Sequence, residues 1–327
     1  MKFGTRILRF ESLGAIVVIA LSLWSAAATA QSNSSHPMRL LVPFAAGSYT
    51  DNVARIIAPS LGERLGVTVI VENRAGANGI IGADLVAKAP PDGLTLLVGG
   101  ASVNTLNPGL YKTLPYDPVR DLLPVARIGL LPFLLVVHPD VPVKTVPELI
   151  DYAKKNPGKL AYATPNAATL VGMETFKRTA GIDILSIAYK SSPQAMTDLA
   201  GNHVQVLIAD FATAMPQVRA GKARLLAVTM GKRSALLPEV APMNESVKDF
   251  DLSAWTGLLA PAGTAQEVVK RISDALMAAL ATKDLQERLS TIGFDVRPLG
   301  PDEFGPYVRE EIETWGKLIQ DAGIQPQ

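Results

Sequence analysis

Cysteine is absent from this 327-residue chain, and histidine occurs three times, at His36, His138 and His203. The first absence excludes disulfide scaffolds, thiol catalysis, Cys-ligated zinc and iron–sulfur clusters. Three scattered histidines leave little material for a metal centre or proton relay, so neither a metal nor a cofactor is expected. Charge of one sign is not in surplus either: 31 Lys+Arg stand against 30 Asp+Glu, a formal net of +1. A nucleic-acid binder needs a dense basic surface to displace counterions, so nucleic acid is not an expected partner. No G-x-S-x-G, no H-E-x-x-H and no spacing that pairs two carboxylates is present, so no catalytic residue is assigned and no enzyme is expected. What the chain does have is 48% hydrophobic residues. At roughly 100–200 residues per domain its length predicts two domains around substantial cores.

The longest apolar run lies at the N-terminus. Lys2, Arg6 and Arg9 form a positive segment with one acidic exception at Glu11; Leu13 to Trp24 is apolar; Ala28-Thr29-Ala30 reads as a cleavage site before Gln31. The run is shorter than the roughly 20 residues that a spanning helix needs. Residues 1–30 are therefore predicted to be a cleavable signal peptide, with a retained anchor as the alternative, and the mature chain to be soluble in the periplasm. With no Cys at the cut there is no lipid attachment point. Cleavage removes three basic residues and one acidic one, leaving 28 against 29, a net of −1. A thiol-free chain suits an oxidising compartment, where no pool of NAD or ATP is expected.

From Met38 onward, strand and helix patterns alternate. Runs at Arg39–Phe44, Val67–Glu72, Leu94–Val98, Leu160–Ala163, Ile184–Tyr189, Val204–Ala209 and Leu225–Thr229 have the length and β-branched content of strands. Between them, Val53, Ile56, Ile57, Leu61 and Leu65 recur on one helical face, with Pro59 predicting a kink or early break. Leu149, Tyr152 and Ala153 repeat the pattern, as do Gln266–Thr282 and Asp302–Ala322, whose aromatic stripe of Phe304, Tyr307 and Trp315 reads as core. Near-continuous apolar strands alternating with helices predict an α/β fold with mostly parallel sheets flanked by helices. Val125–Pro139 and Ala254–Pro261 do not feed the next βα unit. They are read as crossover strands joining two lobes, 38–128 with 255–327 and 129–254; one large sheet with long loops is the alternative.

Ligands of open α/β sheets gather beyond the carboxyl ends of the strands, so the loops there are the candidate binding residues. The first is Phe44-Ala45-Ala46-Gly47-Ser48-Tyr49-Thr50-Asp51, where small residues let backbone N–H groups approach an anion at a helix start and Thr50 or Asp51 would cap it. The second runs from Asn73 through Gly76, Ala77, Asn78 and Gly79 to Ile81. Its G-x-x-G-x-x-G spacing is a weak dinucleotide signal and equally an anion nest. Ser102 follows the third strand. In the second lobe stand Thr164, Asn166, Ala167, Ala168 and Thr169, then Tyr189, then Asp210 and Phe211. Asp210 suits a ligand ammonium, amide or hydroxyl, or equally caps the helix that follows. Lys190 reads as a solvated loop residue and His138 as a surface or capping one.

A longer string of short motifs runs in order through the chain. It includes Pro43-Phe44…Gly47…Thr50-Asp51, Val71-Glu72-Asn73-Arg74-x-Gly76-Ala77, Ala89-Pro90-Pro91-Asp92-Gly93, Leu114-Pro115-Tyr116-Asp117-Pro118, Asn156-Pro157-Gly158-Lys159, Tyr189-Lys190-Ser191 and Trp255-x-Gly257-Leu258-Leu259-Ala260-Pro261. This set resembles the Bug receptors, the periplasmic solute-binding proteins of tripartite tricarboxylate transporters. The resemblance implies a two-lobed, type II-like Venus-flytrap fold closing on a small organic acid, with transporter membrane subunits as partners and a monomeric state. It implies that Phe44–Asp51 and Asn73–Ile81 hold a carboxylate through N–H groups and water, while Thr164–Thr169 and Asp210-Phe211 select the rest. Here Ala46-Gly47-Ser48 stands where that family usually has Pro-Gly-Gly. Pro165-Asn166-Ala167-Ala168 replaces a G-x-G-S turn and its His, which leaves open whether a second carboxylate is bound there. A receptor that signals to a membrane sensor is the alternative function, with an exported α/β enzyme behind it.

Overall fold

The computed structural model describes residues 36–326; the predicted signal peptide lies outside the described residues. Ten strands join in one curled, mixed sheet in the order β2-β1-β3-β9-β4-β7-β5-β6, with β8 and β10 also paired to β4. The first half holds β1 (Met38–Val42), β2 (Val69–Asn73) and β3 (Thr95–Gly100), mutually parallel. The second holds β5 (Ala161–Thr164), β6 (Leu185–Ala188) and β7 (Val206–Asp210), again parallel, with β8 (Arg224–Val228) antiparallel on β4. The predicted strands are thus present. Each half has a parallel core of three strands, and every pair that involves β4 or β9 is antiparallel.

That junction is β4 (Leu122–Val137), whose 16 residues serve both halves. Leu122–Pro132 pair with β9 (Ser253–Pro261), and Phe133–Val137 pair with β7. Pro132 sits at the change of partner, where the N–H it lacks is least needed. The sequence reading of Val125–Pro139 as a crossover holds. That of Ala254–Pro261 does not: β9 pairs with β3 and the first part of β4, inside one half. The return is made by the irregular segment 229–252, whose two ends are tied together by the Leu252 N–H donating to the Thr229 carbonyl.

Helices cover both faces. α1 (Tyr49–Leu65) follows β1, α2 (Ile80–Ala87) follows β2, and a π-helical turn at Ser102–Leu106 leads from β3 into α3 (Asn107–Leu110). The second half carries α4 (Val146–Lys155), α5 (Ala167–Ala180), α6 (Ser192–Ala200) and α7 (Phe211–Arg219). The chain ends in α8 (Gln266–Leu280), α9 (Lys283–Thr291), β10 (Asp295–Leu299) and α10 (Pro301–Asp321). Alternation along β1 sorts the core: Leu40 and Val42 pack with α1, α8 and α9, whereas Leu41 packs with α2 and α10. The expected early break at Pro59 does not occur, and α1 runs on to Leu65. Pro59 lies on the exposed face, where the carbonyl left without a partner meets water. Of the stripe, Phe304, Val308, Trp315 and Ile319 are core, as expected, whereas Tyr307 is only partly buried and lines a cavity. β10 and α9 escaped the sequence reading.

Candidate functional site

Register fixes how the loops face one another. Gly100, at the carboxyl end of β3, pairs with Thr256, which pairs with Gly129 of β4. Asp210, at the carboxyl end of β7, pairs with Phe133 of the same strand. The carboxyl edges of the two parallel sets therefore face each other across four residues of β4, about 13 Å of extended chain. The loops that leave β3 and β7, at Ala101-Ser102 and Phe211, start from these two edges. Asp295 pairs with Leu130 and so brings β10 to its floor.

The two loops of the first half are knitted together by one buried carboxylate. Asp51 is 1% exposed. The Gly47 N–H donates to its Oδ2 at 2.8 Å, Arg55 Nε donates to the same oxygen at 2.9 Å, and Asn73 Nδ2 donates to Oδ1 at 2.9 Å. Asn73 Nδ2 also reaches the Phe44 carbonyl at 3.1 Å, and Arg55 Nη2 donates to Asn73 Oδ1 at 3.1 Å. Burial alone would push the Asp51 carboxyl up, but the bonds from Arg55, Gly47 and Asn73 outweigh it and hold it below the usual carboxylate range. The helix cap is not Asp51 or Thr50 but Ser48, whose Oγ accepts from the Asp51 N–H at 3.3 Å. Asp51 is thus a brace whose oxygens are occupied, and Ala45, Ala46 and Gly47 are left exposed at the mouth.

In the second loop four consecutive residues have positive φ: Gly76 at 143°, Ala77 at 46°, Asn78 at 52° and Gly79 at 86°. Two of these are not glycine, a strained arrangement that persists only where the surroundings hold it. Asn78 Nδ2 donates to Asn107 Oδ1 at 2.7 Å, and Asn107 Nδ2 donates back to the Asn78 carbonyl at 3.2 Å. Asn107 is fully buried and anchors the loop from α3. Sequence reading passed over it, as it did Asn104, which is also fully buried with neither amide atom partnered. Ser102, the candidate of the third strand, opens the π-helical turn that contains Asn104 and is half-buried.

On the opposite side, Asn166 caps α5 in a reciprocal box with Thr169: Asn166 Oδ1 accepts from the Thr169 N–H at 3.0 Å, and Thr169 is fully buried. Ala167 and Ala168 form the first turn of this helix, and the Thr164 hydroxyl donates to the Ile187 carbonyl at 3.3 Å. The Tyr189 hydroxyl donates to Asp198 Oδ2 at 2.8 Å, and burial with this acceptor pushes the phenol up to about 12. Asp210 caps α7, accepting from the Thr213 N–H and hydroxyl, each at 2.9 Å. Lys190 is exposed, and His138 Nδ1 accepts from the Asp140 N–H at 3.2 Å, both as expected.

The halves meet where Phe211 packs against Gly293, beside Tyr49. The Tyr49 ring lies 5.7 Å from that of Phe294. The Tyr49 hydroxyl is buried without a partner, and burial, with the carboxylates of Asp210 and Asp295 nearby, holds its phenol well above the ordinary value. A buried O–H without an acceptor is costly. Gly293–Asp295 was not anticipated, since nothing local marks it. The arrangement offers helix N-termini on both sides of a gap, a buried hydroxyl between them, and one fixed carboxylate at Asp210. Among the described residues no cluster of three His or acidic side chains could hold a metal. No helix among them is long and apolar enough to cross a membrane.

Known proteins share this frame. A UPF0065 protein of Bordetella pertussis is 33% identical over 323 residues, covering 97% of this chain and 99% of its own. BugT of the same organism is 32% identical over 313 residues, 94% and 96% of the two chains. Among solved structures, R. palustris Rpa4515 with adipate superposes with a TM-score of 0.79 at 33% identity, covering 90% of this chain and all of that one. MatC from Rhodopseudomonas palustris with bound malate gives 0.72 at 29%, covering 87% and 99%. The tripartite tricarboxylate transporter family receptor profile matches residues 53–324. The chain belongs to this receptor family.

Proposed function

We propose that this protein is a periplasmic receptor that captures a small organic acid between its lobes and presents it to the membrane subunits of a tripartite tricarboxylate transporter. The facing of two sets of strand-to-helix loops across Gly129–Phe133 carries this reading. The lobes are 38–128 with 255–327 and 129–254, joined by β4 and the 229–252 return. Adipate and malate in the two related structures favour a carboxylate as the class of solute. The first-lobe loops, Phe44–Asp51 and Asn73–Gly79, receive one carboxylate through N–H groups and bridging water, with Tyr49 and Ser102 beside them. Closure excludes water and strengthens these charge-assisted bonds. Thr164–Thr169, Tyr189 and Asp210-Phe211 contact the remainder. The chain binds without turnover, and the signal peptide of residues 1–30 delivers it.

Calorimetry against a panel of carboxylates, with adipate and malate included, is expected to give one-to-one binding and a raised melting temperature for at least one compound. If no carboxylate binds or stabilises the protein, the reading fails. Product formation in the same mixtures would replace the receptor by an enzyme.

Asp210 is assigned as the selector. Asn caps a helix as well as Asp does, so Asp210→Asn is expected to melt within about 2 °C of the native protein. Its preference should shift away from solutes carrying an amine or amide toward those carrying a second carboxylate, because the repelling charge is gone. Unchanged rank order across the panel would remove the selector role.

A further inference from the structure

A cavity of about 380 Å³ lies between α10 and β4, and none of its lining residues belongs to the cleft loops. That volume falls within the roughly 300–1,000 Å³ of small-molecule sites. Arg127 lines it from β4. Only 8% exposed, its guanidinium lies over the Tyr307 ring at 4.5 Å, and its Nε donates to the Arg297 carbonyl at 3.0 Å. One edge of the fork is thereby fixed, and no hydrogen bond among the described residues occupies the terminal nitrogens of this cavity-lining side chain. Among the described residues no carboxylate pairs with Arg127, whereas its neighbour Arg297 is paired with Asp295 at 3.0 Å. The nearby Glu311 carboxylate acts on Arg127 through space but makes no ion pair with it, and a buried cation without a direct partner is costly. Met230, Trp315 and Leu318 supply an apolar wall beside it.

We propose that this cavity is a second ligand site, taking a small monocarboxylate with an apolar body: the carboxylate docks on the terminal nitrogens of Arg127, and the body lies against Met230, Trp315 and Leu318. The other charges bear on this. Lys232 and Glu310 stand exposed at the rim. Asp251, on the return crossing, is raised by burial. Glu311 accepts from Trp315 Nε1 at 3.2 Å, and burial pushes its carboxyl up to about 7. Deprotonated, Glu311 would repel the ligand; protonated, it donates to it. Binding therefore takes up a proton at Glu311 and weakens as the pH rises through 7.

The probe is 4-iodobenzoate, soaked into crystals and titrated into the purified protein. An anomalous iodine peak is expected between α10 and β4, with affinity falling about tenfold from pH 6 to pH 8. Arg127→Gln should weaken binding at this site about tenfold or more. Should that variant fail to fold, Glu311→Gln keeps the proposal testable: it retains binding and flattens the pH dependence. Inorganic phosphate, lacking an apolar body, should not displace the probe. Iodine found only between Tyr49 and Asp210, native affinity in Arg127→Gln, an unchanged pH profile in Glu311→Gln, or displacement by phosphate would each overturn the assignment. Because Arg127 and Glu311 lie outside the cleft loops, loss of one signal leaves the other readable.

Discussion

Asp51→Ala is expected to lower the melting temperature by about 6 °C and to abolish solute binding, although its carboxylate touches no solute. The side chain is 1% exposed, and its two oxygens accept from Gly47, Arg55 and Asn73. Removing it strands three donors. Arg55 and Gly47 are exposed and recover water, whereas Asn73 is half-buried and recovers less. We therefore put the loss at about 3 kcal/mol rather than the upper end for a broken buried charge. At about 2 °C per kcal/mol for a chain of this size, the melting shift follows. Binding suffers more, because Phe44–Ser48 and Asn73 lose their common tie. Arg55→Ala removes only the exposed partner, and its melting temperature should stay close to the native one. The sign with pH is fixed by the depressed carboxyl. Its contribution is fully present above the unfolded value of about 3.9 and is lost as pH falls through the lower folded value. The gap in melting temperature between native and Asp51→Ala protein should therefore narrow only below pH 4. A constant gap down to pH 2 would show that the brace is not ionic.

Much of this frame was legible in the sequence because parallel strands buried on both faces read as apolar runs. Leu40–Val42, Leu96–Val98 and Val206–Ala209 are nearly or fully buried along their length. The loops after them were legible through glycine and small residues. What escaped were features that depend on distant partners. Asp295–Leu299 carries Arg297 and Pro298 and has no strand periodicity; it is a strand only because β4 offers it an edge. The cap at Ser48 was misassigned to Asp51 or Thr50, since local spacing cannot reveal that Asn73 and Arg55 converge on that carboxylate. Asn104 and Asn107 lie beyond the third strand in a π-helical turn and the helix it leads into, for which the sequence offers no period. The same limit applies to the second crossing: Ala254–Pro261 is as apolar as a lobe-joining strand, and only its register on β3 places it within one half.

Electrostatics sharpen the picture of anion capture. A chain with a net charge near zero provides no long-range field to draw an anion. Attraction must arise at the helix starts, and the caps there are themselves occupied. Ser48, Asn166 and Asp210 each accept from the third residue of their own helix. The remaining first-turn N–H groups are left for a ligand or water. Capping and capture are thus divided between side chain and backbone. A substitution that keeps the cap but shifts the loop should harm binding more than stability.

Gly82 offers that test at the largest scale. It lies buried in α2, and a Cβ there would stand 2.8 Å from Pro43 Cα and 3.0 Å from the Arg74 carbonyl oxygen. These two residues begin the two first-lobe loops, so one methyl group drives both apart. In an open helix the change to Ala would stabilise by up to about 1 kcal/mol. Gly316 in α10, where an added Cβ meets nothing within 4 Å, is expected to behave that way. At Gly82 backbone atoms cannot yield cheaply. Overpacking of about 2–3 kcal/mol outweighs the propensity gain, so Gly82→Ala should melt about 3 °C lower and Gly316→Ala slightly higher. Gly82→Val adds two further methyl groups against Pro43 and should cost about 3 kcal/mol or more. Solute affinity should fall more than tenfold in both Gly82 variants and stay unchanged in Gly316→Ala, as read by calorimetry on folded protein. Native affinity in Gly82→Ala would mean that the loops need not be wedged together by Pro43 and Arg74 to hold their anion.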